Sequence, residues 1–203
     1  MRYLERQAYL EAASVEAFER FACELIAFGA PFPLIDAAMR ARADEAGHYE
    51  LVLSLGRRFD PTFCCPPPVA PSAKRRSLYA FAFENAVEGC VRETWGALLA
   101  RYQSERASDG ALRKAFARIA RDEMRHAELA WSTHQWLATK LSAVGREEMR
   151  DAMASAVLDV LDESEDDGLG PDDRALLGLP TPAGARAMLL DLRQTLWHKA
   201  LAA

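Results

Sequence analysis

Long stretches with few or no glycine and proline residues, separated by short breaks rich in both, constrain this chain most strongly. Residues 2–28 contain neither residue type, and the break at 29–33 contains one glycine and two prolines. Three further stretches cover about residues 34–55, 77–107 and 111–140. None of them shows the sustained alternation rich in β-branched residues that is typical of strands. We therefore predict an all-α protein built on four long helices.

Apolar residues recur every three or four positions along each predicted helix, which places them on one face. Each stripe has the pattern that a four-helix bundle buries in its core. Acidic residues interrupt all four stripes, and a histidine follows the acid in two of them. The interrupting residues are Glu11 in the first helix, Glu45 and His48 in the second, Glu84 and Glu88 in the third, and Glu123 and His126 in the fourth.

The breaks between the helices differ in length, which constrains the topology. The breaks at 29–33 and 108–110 are short enough to join antiparallel helices. Residues 56–76 form a connector of about 21 residues with five of the ten prolines, and Gly56 at its start is interpreted as a helix stop. Because a connector of this length can span a bundle from end to end, we predict two antiparallel hairpins joined by one long crossover.

About 60 residues follow the fourth predicted helix. We expect residues 1–140 to form the four-helix bundle, and residues 141–203 to form a C-terminal helical extension packed on it. The extension is predicted to contain helices near 146–162 and 183–201. An acidic loop over 164–173 is expected to separate these two helices.

The acids and histidines of the second and fourth helices form two Glu-x-x-His motifs. Glu45 precedes His48, and Glu123 precedes His126, by three positions. Residues i and i+3 share one helix face, so each carboxylate and imidazole can bind the same ion. These donors suit Fe or Mn, and four carboxylates would offset the charge of two divalent ions. Two such helices, with one Glu from each of the others, match the di-iron or di-manganese carboxylate pattern.

The spacing of these residues repeats between the two halves of the chain. Glu11 and Glu88 are 77 residues apart, and both Glu45 with Glu123 and His48 with His126 are 78 apart. One Glu-x-x-His motif alone is most often an exposed acid beside a surface or core histidine. Unpartnered acids in a core are costly, however, and the stripes contain almost no Lys or Arg. The pattern therefore favours a metal site with pseudo-two-fold symmetry.

Two helices offer more than one glutamate. In the first helix Glu11 lies on the apolar stripe, whereas Glu16 aligns with Arg20 at i+4, as on a solvated face. In the third helix Glu88 is the analogue of Glu11. Glu93 lies on a different stripe, which consists of small residues. The sequence leaves three alternatives for Glu93: a further metal ligand, an acid that contacts the ligands without binding the metal, or neither.

The order Glu, Glu-x-x-His, Glu, Glu-x-x-His resembles the ferritin-like superfamily, which includes ferritins, rubrerythrins and di-iron oxidases. Over about residues 5–137 the chain is similar to stand-alone bacterial ferritin-like domain proteins. The resemblance implies a ferritin-like four-helix bundle and a cofactor of two iron ions, with manganese or a mixed Fe/Mn pair as the alternative. It implies as metal ligands Glu11, Glu45, His48, Glu88, Glu123 and His126.

The composition of the chain indicates which partners and which cellular setting to expect. The formal net charge is −5 without a basic patch, which argues against nucleic acid or an anionic membrane as the main partner. No apolar run approaches the roughly 18–20 residues of a membrane span. The four cysteines form no paired framework, so a reduced cytoplasmic setting is expected. A homodimer is plausible because helical bundles often pair.

Three functions fit these observations. The leading hypothesis is a non-haem di-iron or Fe/Mn oxidoreductase that activates O2 or peroxide towards an unknown substrate. The second is a ferroxidase for iron detoxification or storage, and the third is a helical scaffold whose metal is structural or absent. The buried acids favour the first two hypotheses. The C-terminal extension slightly favours the first, since a cage-forming ferritin has one short helix after its bundle.

Overall fold

The structure is a computed structural model that describes residues 2–65, 68, 76–164 and 168–202. Every regular element within these residues is helical, which confirms the all-α prediction. The chain divides into two compact units, Met1–Arg76 and Ser77–Ala203. Within the second unit, the helix that follows residue 140 packs against the helix that opens the unit.

The first unit is a helical hairpin. Helix α1 spans Arg2–Ala27 and helix α2 spans Phe32–Phe59. Gly29 closes the turn between them with a φ of 71°, a left-handed conformation that glycine adopts without steric cost. The two helices pack along the predicted apolar stripes. The buried apolar residues of this interface include Leu4, Ala8, Ala22, Leu25, Ala38, Ala41 and Val52.

The predicted helix stop at Gly56 is wrong. Helix α2 continues through Gly56 and ends at Phe59. A Cβ atom at Gly56 would lie 2.4 Å from the ring of Phe63, whose side chain is buried. The glycine is therefore explained by the close approach of an aromatic ring rather than by the end of a helix.

An ion pair attaches the far end of the connector to α1. Arg76 Nη2 lies 2.6 Å from Glu24 Oε2, and Arg76 Nε donates to Glu24 Oε1 at 3.0 Å. Glu24 is 3% exposed and lies in the last turn of α1. The connector starts after Phe59, beside the beginning of α1, so its described ends lie at opposite ends of the hairpin.

The second unit opens with a long helix, α3, whose hydrogen-bond pattern changes along its length. It is α-helical over Leu78–Glu84, π-helical over Asn85–Glu93 and α-helical again over Thr94–Arg106. A short turn leads to α4, Gly110–Ala138. The Asp109 carboxylate caps α4 by accepting hydrogen bonds from the backbone N–H groups of Ala111 and Leu112. Helices α3 and α4 pack against each other along most of their length.

Three further helices follow among the described residues of the second unit. Helix α5 spans Ala143–Glu163 and packs on the π-helical segment of α3. Its last residue, Glu163, accepts two hydrogen bonds of 2.8 Å from the guanidinium of Arg92. Helix α6 spans Pro171–Leu177. Helix α7 consists of an α-helical part Pro182–Leu192, a π-helical part Arg193–Trp197 and an α-helical end His198–Ala202.

The prediction of an acidic loop over 164–173 is wrong from residue 171 onward, and residues 165–167 lie outside the described residues. Pro171 starts α6, and Asp172 and Asp173 lie in its first turn, where acids stabilise the positive end of the helix dipole. Gly178 ends the helix with a φ of 67°. Across the described parts of the chain, no helix has the length and apolarity needed to cross a membrane.

We expect that Glu24→Gln lowers the free energy of unfolding by about 2 kcal/mol, because it removes the charge from a buried, doubly hydrogen-bonded pair. Urea unfolding measures this change. The matched control is Glu19→Gln, which removes an exposed pair with Arg42 at 3.0 Å and should cost under about 0.5 kcal/mol. Equal losses in the two variants would contradict a special role for the Glu24–Arg76 pair.

Candidate metal centre

The first unit brings three of the predicted ligands together. Helix α1 supplies Glu11, and α2 supplies Glu45 and His48 from one face. His48 Nδ1 lies 3.4 Å from Glu11 Oε2 and 3.9 Å from Glu45 Oε2. One ligand atom from each residue lies within 4.8 Å of the others. All three are buried: Glu11 is 7% exposed, Glu45 is 2% exposed and His48 is fully buried.

A second group forms within the second unit. Helix α3 supplies Glu93, the last residue of its π-helical segment, and α4 supplies Glu123 and His126. His126 Nδ1 lies 3.5 Å from Glu123 Oε2, and one ligand atom from each of the three residues lies within 4.8 Å of the others. The side chains of Glu123 and His126 are 12% and 2% exposed, and Glu93 is half-buried.

Glu88 is not among the residues that the structure groups around His126. Its side chain is 59% exposed, and its Oε1 lies 3.7 Å from Arg92 Nε. The sequence-based interpretation assumed α-helical periodicity through this position, whereas the backbone over Asn85–Glu93 is π-helical. A π turn bonds residue i to i+5 and so changes which residues share a face. The structure places Glu93, which the sequence analysis left open, beside Glu123 and His126.

The internal repeat consequently fails at one ligand. In the first unit Glu11 precedes Glu45 by 34 residues, whereas in the second unit Glu93 precedes Glu123 by only 30. The sequence did contain a signal for Glu93, namely the stripe of small residues on which it lies. That stripe is buried in the structure, and its members are Ala86, Cys90, Ala97 and Ala100. Glu16 is exposed on α1, as the sequence analysis expects of a solvated face.

The donor sets suit a divalent cation. Each group offers two carboxylates and one imidazole, so its two negative charges balance one doubly charged ion. Carboxylates held this close in a buried environment repel each other unless a cation or a proton lies between them. Oxygen donors combined with one imidazole nitrogen suit iron, manganese or zinc. We name the two groups the Glu11 triad (Glu11, Glu45, His48) and the Glu93 triad (Glu93, Glu123, His126).

The buried acid next to Glu123 has a different environment. Asp122 is 8% exposed, and one of its oxygens accepts a hydrogen bond of 2.7 Å from Arg125 Nη2. Its other oxygen lies 3.9 Å from Arg118 Nε. Two arginines therefore balance the charge of Asp122, and this carboxylate is not part of the Glu93 triad.

Comparison with known proteins provides no further guide to the site. No protein-family model, no curated protein and no solved structure matches the chain. The interpretation of the two triads therefore depends on the chemistry and geometry of their own residues.

We expect Glu93→Gln to remove about one Mn(II) ion per chain, because it replaces a charged donor of the Glu93 triad with a neutral side chain of the same size. Its matched control is Glu88→Gln, which changes an exposed glutamate of the same π-helical segment and should leave the ion count unchanged. Elemental analysis after anaerobic loading and desalting gives the count. Loss of an ion in Glu88→Gln and not in Glu93→Gln would show that the ligand assignment is reversed.

Proposed function

We propose that this protein is a non-haem di-iron or mixed iron–manganese oxidoreductase of the ferritin-like type, which activates O2 or peroxide. The observation that carries the proposal is the pair of triads, each with two carboxylates and one histidine, of whose six residues only Glu93 is not buried. In this proposal Glu11, Glu45 and His48 hold one ion, and Glu93, Glu123 and His126 hold the other. Glu88, which the sequence analysis predicted as a ligand, is assigned to neither ion in this proposal because its side chain is 59% exposed.

The carboxylate donors of the two triads suit the redox role that this proposal gives to iron or manganese, since anionic oxygen donors would stabilise the higher oxidation states of these metals. Ions of this kind supply the oxidation chemistry, while the protein supplies binding, orientation and electrostatics. The repeat of the Glu-x-x-His motifs, 78 residues apart, supports a similar metal-binding role for the two triads.

The protein residues have two tasks in this proposal. The first is charge balance, since two carboxylates per triad neutralise each divalent ion in a poorly solvated environment. The second is exclusion of water, since His48 and Glu45 are almost fully buried and only small molecules have access to such donors. The substrate class that follows is a small organic molecule or a side chain presented by a larger one.

The test is O2 consumption after anaerobic loading with Fe(II) and removal of excess iron. The proposal predicts rapid O2 uptake by the wild-type protein in the presence of a chemical reductant, and a loss of at least about tenfold in Glu45→Ala and in His126→Ala. Glu16→Ala, an exposed glutamate of α1, is the control that should retain the wild-type rate.

Adding excess Fe(II) without a reductant separates the two redox hypotheses. An oxidoreductase with resident iron oxidises about its own complement of ions and then stops. Continued oxidation of many equivalents of Fe(II) would instead identify iron as the substrate and the protein as a ferroxidase. Wild-type protein that retains no iron would contradict both hypotheses and leave the scaffold hypothesis.

A further inference from the structure

Side chains hydrogen-bond to the backbone of the π-helical segment of α3. A π turn departs from the α-helical bonding pattern and is often found at functional sites. The backbone carbonyl of Cys90, inside this segment, accepts hydrogen bonds from Thr94 Oγ1 at 2.9 Å and from Trp197 Nε1 at 3.0 Å. Cys90 and Trp197 are fully buried and Thr94 is 8% exposed. Burial raises the pKa of the Cys90 thiol, so this side chain is a neutral packing group.

Helix α4 also contacts this segment. Asn85 Nδ2 donates to the carbonyl of Ala130 at 3.1 Å, and Trp131 Nε1 donates to Thr94 Oγ1 at 3.1 Å. A Cβ atom at Gly89 would lie 2.7 Å from Ala130 Cβ, so the glycine permits close packing here. The segment that ends at Glu93 is therefore fixed against the helix that carries the other two residues of its triad.

Trp197 is distant from this segment in the sequence, 107 positions after Cys90. It lies in the second π-helical stretch, Arg193–Trp197, near the C-terminus. A buried tryptophan N–H group requires a hydrogen-bond acceptor. Here the N–H group donates to a carbonyl three residues before Glu93, which links the C-terminal helix to the position of a triad carboxylate.

We propose that Trp197 is a positioning residue for the metal centre: its indole N–H holds the Cys90 carbonyl and thereby keeps the π-helical turn that directs Glu93 to Glu123 and His126. This inference depends on the proposed metal-binding function. It assigns to the C-terminal helix a role in shaping the Glu93 triad, in addition to covering apolar surface.

The experiment compares Co(II) binding by four proteins: the wild type, Trp197→Phe, Glu93→Gln and the double variant. The visible d–d absorption of the bound ion is used to monitor binding. Trp197→Phe keeps an aromatic ring and removes the donor. We expect this substitution to lower the affinity for one Co(II) ion by about 10- to 100-fold, the usual effect of removing a group that orients a ligand. The absorption spectrum of that ion should also change. In protein that already carries Glu93→Gln, Trp197→Phe should cause no further change in Co(II) affinity or absorption.

Two further variants control for a general effect on folding. Trp136→Phe changes a tryptophan of α4 that contacts Lys140 and should bind Co(II) as the wild type does. Thr94→Val removes the other side-chain donor to the Cys90 carbonyl and should lower the affinity for the same Co(II) ion. If Trp197→Phe loses its helical circular dichroism, Thr94→Val alone decides the result, and unchanged Co(II) binding in it would overturn the inference.

The Co(II) experiment distinguishes a failure of the proposed metal-binding function from a failure of the positioning role of Trp197. Wild-type protein that binds no Co(II) would contradict the proposed function itself. Wild-type binding of two ions that is unchanged in Trp197→Phe would overturn only the positioning role. An equal loss of affinity in the presence and absence of Glu93 would also overturn it, because the tryptophan would then act through general stability and not through this carboxylate.

Discussion

The repulsion between buried carboxylates is the constraint on which the rest of the structure depends. Glu11 and Glu45 lie beside each other in one helical hairpin, and neither is more than 7% exposed. Two like charges at this distance oppose folding unless a cation or a bound proton compensates them. In the second unit the buried Glu123 likewise lies beside a second carboxylate, that of the half-buried Glu93. A chain that kept these acids only for folding would be more stable with apolar residues in their place.

The π-helical segment shows how the second unit meets this constraint. Regular α-helical geometry would favour Glu88 as the glutamate of α3 that lies beside Glu123 and His126. The π turns bring Glu93 to these residues instead. The segment is held by hydrogen bonds from two tryptophans and a threonine, and by the absence of a side chain at Gly89. The geometry of the triad therefore depends on residues that carry no metal-binding group themselves.

The all-α class, the hairpin of α1 and α2 and the Glu11 triad could be predicted because they follow from α-helical periodicity alone. Glu45 and His48 share a face at i and i+3, and Glu11 interrupts the neighbouring stripe. The position of Glu93 could not be predicted in the same way, because a π turn depends on distant partners such as Trp197. Gly56 has the sequence signature of a helix stop, and its actual role depends on the packing of the Phe63 ring. The short helix α6 could have been predicted from its proline, first-turn acids and final glycine.

The melting temperature of wild-type protein and of Glu45→Gln, each measured with EDTA and with saturating Mn(II), tests whether these acids are buried for a metal. We expect Glu45→Gln to melt at a higher temperature than the wild type in EDTA, because the substitution relieves repulsion with Glu11. Mn(II) at about 100 times its Kd should raise the wild-type melting temperature by on the order of 5–10 °C, and that of Glu45→Gln by much less. Lower stability of Glu45→Gln in EDTA, together with no effect of Mn(II) on the wild type, would contradict the claim that these acids are buried for a metal.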